Sequence, residues 1–243
     1  MSTPWVVLPT YQEAGNLEAV VAAVRRALAG EGARILVVDD NSPDGTGAIA
    51  DRLAARHRDV EVLHRTGKLG LGPAYIAGFA HALAAGAAEV FEMDADGSHD
   101  AGDLPRLLAA VRDGADLALG SRYVRGGGVE NWGLGRRVVS RVGCLYARAV
   151  LRVPVRDLTG GFKCFRAEAL RAVDYASVRS RGYGFQVELT YRALVAGLRV
   201  AELPIVFHER QEGSSKMTGR IALEAAWRIP RLRLAQRAVT SRR

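Results

Sequence analysis

Between Trp5 and Leu119, short apolar runs alternate with stretches in which apolar residues recur every three or four positions. The runs at 5–8, 35–38, 60–63, 90–93 and 117–119 read as buried strands. Leu17, Val20, Val21, Val24 and Leu28 follow helical spacing, with Asn16 placed to cap the start and Gly30 to stop the end. Asn41-Ser42-Pro43-Asp44-Gly45 is turn chemistry, and Thr46 starts the next helix. Further helices are expected at 71–86 and 100–111. This order predicts an α/β fold with a mostly parallel central sheet covered by helices. The second half is less regular. A Gly-rich loop covers 125–135, helices lie near 136–151 and 184–197, and a strand lies near 200–207. A last helix begins around Thr218 and is interrupted at Pro230. No internal repeat and no long linker divides the chain, so residues 1–243 read as a single domain.

Two of the predicted strands end in acidic pairs. Asp39-Asp40 follows 35–38, and Asp94-Ala95-Asp96 follows the run containing Val90, Phe91 and Met93. Parallel sheets bind ligands at the carboxyl ends of their strands. Carboxylates gathered there repel one another, so a cation is expected between them. Oxygen-only ligands select a hard ion such as Mg²⁺ or Mn²⁺, which in turn holds phosphates.

The net charge of +8 strengthens that reading, because it calls for an anionic partner. Apolar content of 49% and charged content of 25% are those of an ordinary packed globular chain. Cys144 and Cys164 form no ligand or redox spacing and read as small buried hydrophobes. The N-terminus carries no secretory leader pattern. Residues 69–88 lack charge and are long enough to span a bilayer, but they are Gly- and Ala-rich and contain Pro73 and His81. A transmembrane helix there is not expected.

Motifs occurring in order sharpen the picture. They are Leu8-Pro9-Thr10-Tyr11-Gln12-Glu13, Val37-Val38-Asp39-Asp40-Asn41-Ser42-Pro43-Asp44-Gly45-Thr46, Gly67-Lys68-Leu69-Gly70-Leu71-Gly72 and Met93-Asp94-Ala95-Asp96. Gly120-Ser121-Arg122-Tyr123, Asn131-Trp132-Gly133-Leu134-Gly135-Arg136-Arg137 and Asp157-Leu158-Thr159-Gly160-Gly161-Phe162-Lys163 follow. Over residues 4–220 the chain resembles the inverting glycosyltransferases of family two with a GT-A (nucleotide-diphospho-sugar transferase, Rossmann-like) fold. That family includes the dolichol- and polyprenol-phosphate mannose synthases.

The resemblance implies transfer of mannose from GDP-mannose to polyprenyl (dolichyl) phosphate. It implies that Pro9, Tyr11, Glu13, Val38 and Asp40 hold the donor nucleoside, with Asp94, Ala95 and Asp96 at its diphosphate. Asp94, Asp96 and Ser98 would hold the metal; Ser98 stands where some relatives carry Gln. His99 reads as a polar loop residue beside them. Arg122, Arg136, Arg137, Arg210 and Lys216 resemble the residues that receive phosphates, Arg122, Arg136 and Arg137 on the acceptor side and Arg122, Arg210 and Lys216 on the donor side. Guanidinium groups suit that task through planar paired donors. Asp157 is expected to organise the site, paired with an arginine, because a phosphate acceptor is already anionic and needs positioning more than a base.

Residues 220–243 hold seven arginines and one acid, Glu224. This basic amphipathic segment at 218–243 either lies on an anionic membrane or packs its apolar side on the domain. Transmembrane segments follow this point in many relatives. Here the expectation is a catalytic unit at the cytoplasmic face of a membrane, bound peripherally or through a separate membrane-anchoring subunit or fused membrane domain. A transferase using a UDP-sugar such as UDP-glucose is the nearest alternative. A basic nucleic-acid-binding module is disfavoured because the arginines sit in Gly-rich motifs beside acidic strand ends. A dinucleotide-dependent oxidoreductase is disfavoured by the glycine spacing of Gly67, Gly70 and Gly72.

Overall fold

A computed structural model of the chain describes residues 3–180, 182–209 and 229–234. The first half runs β1 (Pro4–Thr10), α1 (Leu17–Ala27), β2 (Arg34–Asp39), α2 (Thr46–Arg56), β3 (Val60–His64), α3 (Leu71–Ala84), β4 (Glu89–Glu92), α4 (Leu104–Arg112) and β5 (Leu117–Ser121). The second half adds β6 (Gly128–Val129), α5 (Leu134–Leu151), β7 (Lys163–Arg166), α6 (Ala167–Ala172), α7 (Tyr183–Val195), β8 (Val200–Pro204) and β9 (Val206–Phe207).

Seven strands form the central sheet in the order β3-β2-β1-β4-β7-β5-β8, and β6 pairs with β9 beside it. All of the main sheet is parallel except β7, which runs antiparallel to both β4 and β5. The expected mostly parallel sheet is therefore observed.

Side chains of β1 alternate between the two faces, as the two-residue strand period requires. Val6 and Leu8 join a core under α1 and α4, whereas Trp5 and Val7 join one under α3 and α7. Burying each such side chain contributes roughly 1.5–3 kcal/mol. The uncharged stretch at 69–88 is a core element rather than a membrane span. At Gly78, α3 lies so close on β1 that a Cβ would stand 2.3 Å from Val7 Cγ1. Among the described residues no helix is long and apolar enough to cross a membrane.

Several local expectations change. Asn16 does not cap α1 with its side chain; its Nδ2 donates to Glu13 Oε2 at 2.9 Å. At α2, Asp44 Oδ1 accepts from both the N–H and the hydroxyl of Thr46, at 3.1 and 2.6 Å. The helix expected from residue 100 opens as a 3₁₀ turn, Ala101–Asp103, before α4. The loop at 125–135 contains β6, and the strand near 200–207 divides at Ile205 into β8 and β9. Strand β7 and helix α6 were not anticipated. Residues 229–234 are helical, Pro230 included, and Ile229 is buried against the core that holds Ala147 and Leu151. The rest of the expected 218–243 segment lies outside the described residues, as do Arg210 and Lys216.

Candidate active site

Parallel strands deliver their carboxyl ends to one edge of the sheet. The order β2-β1-β4 reverses direction at β1, where such sheets open a crevice. The loops after β1, β2, β4 and β5 therefore bring Tyr11 and Glu13, Asp40, Asp94 and Asp96, and Arg122 to the same place. Antiparallel β7 starts at that edge, so Gly160, Gly161 and Phe162 arrive from the other direction. Together they line a cavity of about 440 Å³ with Trp132, Arg136, Gln186 and Phe207.

On the acidic side, Asp40 anchors the loop that closes the cavity. Its Oδ1 accepts from Arg65 Nη1 at 2.5 Å, and its Oδ2 accepts the N–H groups of Leu69 and Gly70 at 3.1 and 3.3 Å. That places Lys68 Nζ 3.8 Å from the centre of the Tyr11 ring. Asp94 Oδ1 accepts from Tyr75 Oη at 3.1 Å, and Asp96 Oδ1 accepts from the Ser98 N–H at 3.0 Å. His99 is buried and stacks on Phe162 with ring centres 4.8 Å apart. Its Nδ1 accepts the Asp94 N–H at 3.2 Å. Burial holds the imidazole below its usual pKa, so near neutral pH it is uncharged and pins the Asp94 backbone.

Facing these carboxylates is a buried ion pair. Arg122 Nε and Nη2 each donate to Asp157 at 2.7 Å, and the Arg122 N–H adds a bond at 3.0 Å. Thr159 Oγ1 accepts a further bond from Nη2 at 2.8 Å. Although burial opposes the charge on Asp157, Arg122 overcomes it and holds the carboxyl below its ordinary range. The guanidinium stays charged, raised above its usual value by the same partner. Its carbon lies 5.7 Å from the Trp132 ring centre and 5.5 Å from that of Phe207. Arg136, from the first turn of α5, lies 4.1 Å over Trp132 and donates to Glu209 Oε1 at 3.1 Å.

Beneath the cavity a second charged group is fully buried. Glu92 and Lys163 are register partners on β4 and β7, with Nζ 3.3 Å from Glu92 Oε2. Burial raises the Glu92 pKa to about 7 against the attraction of Lys163. Lys163 also donates to Gln186 Oε1 on α7.

Most expected site residues converge. Pro9, Tyr11, Glu13, Asp40, Asp94, Ala95, Asp96, Arg122 and Arg136 all line the cavity. Val38 does not: its side chain is fully buried, where a Cβ on Gly78 would stand 3.2 Å from its Cγ2. Arg137 points elsewhere, its Nη2 donating to the Val129 carbonyl at 3.4 Å. Asp157, bonded to Arg122, and Ser98, whose N–H donates to Asp96, are fully buried and do not line the cavity. His99 lies in the loop after β4 as expected, and it is buried and part of the lining. Both cysteines are buried, and Cys144 is pushed up to about 11, which leaves it an unreactive thiol. Tyr75, Glu92, Lys163 and Gln186 were not assigned roles from sequence. Lys163 had a visible signal as the last residue of the Asp157–Lys163 motif, whereas Gln186 had none.

The family model described as glycosyl transferase family 2 matches residues 5–174. A polyprenol monophosphomannose synthase from Mycolicibacterium smegmatis is 50% identical over 225 residues, 92% of this chain and 84% of that protein. An undecaprenyl-phosphate mannosyltransferase from Micrococcus luteus is 48% identical over 231 residues, covering 95% and 94% of the two chains. A dolichol-phosphate mannosyltransferase from Pyrococcus furiosus is 36% identical over 93% of this chain and 62% of its own length. Among solved structures, glucosyl-3-phosphoglycerate synthase from Mycobacterium tuberculosis, in complex with Mn²⁺, UDP-glucose and phosphoglyceric acid, superposes with a TM-score of 0.70. It covers 97% of this chain and 79% of its own at 19% identity, a likeness of fold alone. The chain belongs to glycosyl transferase family 2 and has the GT-A fold.

Proposed function

We propose that this chain transfers mannose from GDP-mannose to the phosphate of a polyprenyl (dolichyl) lipid, with inversion, residues 1–243 acting as one catalytic domain. The observation that carries the reading is a single cavity with Asp94 and Asp96 on one side and Arg122 and Arg136 on the other. Two anionic substrates must meet there, and each needs countercharge. The names of the M. smegmatis and M. luteus relatives, matched over most of their length, favour mannose and a polyprenyl phosphate acceptor.

Pro9, Tyr11, Glu13 and Asp40 would receive the nucleoside, and Asp94, Ala95 and Asp96 its diphosphate. Arg122 and Arg136 hold the acceptor phosphate. An acceptor oxygen attacks the anomeric carbon from the face opposite GDP. The new carbon–oxygen bond forms as the bond to the β-phosphate oxygen breaks, turning an α-linked donor into a β-mannosyl phosphate lipid. No general base is required, because the acceptor is already anionic. Asp157 is suited to hold Arg122 and unsuited to take a proton, since both its oxygens face the guanidinium. Arg122 Nη1, which has no partner among the described residues, is left for phosphate.

The residues fit a hard cation. Asp94, Asp96 and Ser98 offer oxygen only, and Ser98 Oγ is buried with no hydrogen-bond partner among the described residues. When bound there, Mg²⁺ or Mn²⁺ would screen the charge on departing GDP. Among the described residues no three His, Cys, Asp or Glu side chains form a metal-binding group. Substrate phosphates would therefore complete the coordination.

Helix α5 supports a membrane setting. Leu134, Val138, Val142 and Leu145 share one face and are 80%, 60%, 57% and 53% exposed. Arg137, Arg141 and Arg148 run beside that stripe, and the helix contains no acid. Such a helix rests its apolar face in the lipid boundary with arginines at the headgroups. Its first turn carries Arg136 into the cavity, so a lipid surface on that face would lie next to the acceptor phosphate.

The test is sugar transfer to a short-chain polyprenyl phosphate from labelled GDP-mannose or UDP-glucose, each with and without Mg²⁺ or Mn²⁺. Metal-dependent mannolipid formation from GDP-mannose alone is expected. Transfer only from UDP-glucose would reject the donor.

A further inference from the structure

Gln186 sits on α7 at the base of the cavity and is 2% exposed. Its Oε1 accepts from Lys163 Nζ. A lysine ammonium only donates, so the amide has one permitted orientation, with its oxygen toward Lys163 and its NH₂ away. Lys163 is itself fixed by Glu92 across the β4–β7 register. Gln186 Nε2 is fully buried and makes no hydrogen bond of ordinary geometry among the described residues, although the amide lies close enough to the Glu92 carboxylate to favour its charged form. Buried donors are rarely left unmet, and one facing a cavity points to a ligand acceptor.

The backbone comes close to the amide at Gly161, where no side chain intervenes. A Cβ on Gly161 would stand 3.2 Å from Gln186 Nε2 and 3.9 Å from Asp94 Oδ2. The amide and the carboxylate of the acidic side thus look onto the same small volume, which any residue but glycine would fill. A neutral N–H there suits a hydroxyl oxygen better than a phosphate, for which Arg122 and Arg136 are available.

We propose that Gln186 Nε2 donates a hydrogen bond to a ring hydroxyl of the donor hexose, and that it reads the sugar rather than the nucleotide. Lys163 and Glu92 act through it as positioning residues. The inference rests on the reading of this cavity as a sugar-nucleotide site and names the group that recognises the sugar.

The experiment is calorimetric titration of the full chain, with Mn²⁺, against GDP-mannose and against GDP. It compares wild type with Gln186→Ala and with the near-isosteric Gln186→Glu, which keeps an oxygen toward Lys163 but puts a carboxylate oxygen where Nε2 stood. Both variants should weaken GDP-mannose by about tenfold, the worth of one neutral hydrogen bond in a water-poor site, and GDP by less than about twofold. Equal weakening of the two ligands, or no weakening, in a variant that unfolds at the wild-type temperature would overturn the proposal. Should Gln186→Ala fold poorly, the ratio in Gln186→Glu decides. The wild type alone decides the donor. If it binds a UDP-sugar instead, the same ratio is taken between UDP-glucose and UDP. If it binds no sugar nucleotide, the site reading and this inference fall together.

Discussion

The two sides of the cavity are built differently. Asp94 and Asp96 stand just after β4, and the groups they accept from include a tyrosine hydroxyl and a backbone N–H. Arg122 stands opposite, at the end of β5, and brings its own counter-ion in a fully buried Asp157. Among the described partners, the acidic side is held by neutral donors, whereas the arginine side rests on a buried ion pair. Side chains on the first should matter to chemistry and little to folding; on the second, the ion pair should matter to both.

The largest expected effect is on the acidic side. Asp96→Asn should lower transfer by about a hundredfold or more, since stabilising a diphosphate leaving group contributes several kcal/mol. Its unfolding midpoint should stay within about 2 °C of wild type, the shift of a substitution that removes no packing. Full activity in a well-folded Asp96→Asn protein would remove the metal role. Across the cavity, Arg122→Met should cost about 3–5 kcal/mol in denaturant unfolding, because it strands a buried carboxylate. Adding Asp157→Leu should recover a large part of that loss, and a double variant no more stable than Arg122→Met would show that the pair is not the source.

A next, smaller effect sharpens the comparison at the membrane. Serines at Leu134, Val138 and Val142 should leave stability within about 0.5 kcal/mol per site, as exposed positions do. Binding to anionic vesicles and transfer to a long-chain acceptor should fall by about tenfold, with a short-chain acceptor unaffected. Unchanged vesicle binding would place the membrane contact elsewhere in the chain.

The smallest effect concerns Glu92, whose pKa is raised from 4.5 to about 7. A carboxyl raised on folding keeps a proton that the unfolded chain has released, so stability falls as pH rises through that window and then levels. The Glu92→Gln protein lacks this slope. The wild type should therefore lose stability relative to it between pH 4.5 and 7 in parallel denaturant titrations. Parallel curves would show that Lys163 keeps Glu92 ionised throughout.

The same division governed what could be read from sequence. The first five strands and the acidic ends of two were legible because parallel strands buried on both faces leave plain apolar runs. Strand β7 was hidden because its four residues begin with Lys163 and end with Arg166, which reads as polar. Burial of Lys163 makes sense only beside Glu92, a partner 71 residues away. Gln186 was hidden for the same reason, since its meaning lies in the lysine that orients it. Helix α5 was expected, but nothing was said of what covers its apolar positions, and membrane contact was offered only as one of two readings of residues 218–243. Periodicity shows that a helix has an apolar side and not what covers it.

The division of labour between the two sides is tested most directly by measuring GDP affinity, with Mn²⁺, and short-chain polyprenyl phosphate affinity in Asp96→Asn and Arg136→Ala. The account predicts that Asp96→Asn weakens GDP by about tenfold or more and the lipid phosphate by less than about twofold, and that Arg136→Ala does the reverse. If both variants weakened the same ligand and spared the other, the cavity would not be divided between donor and acceptor as described.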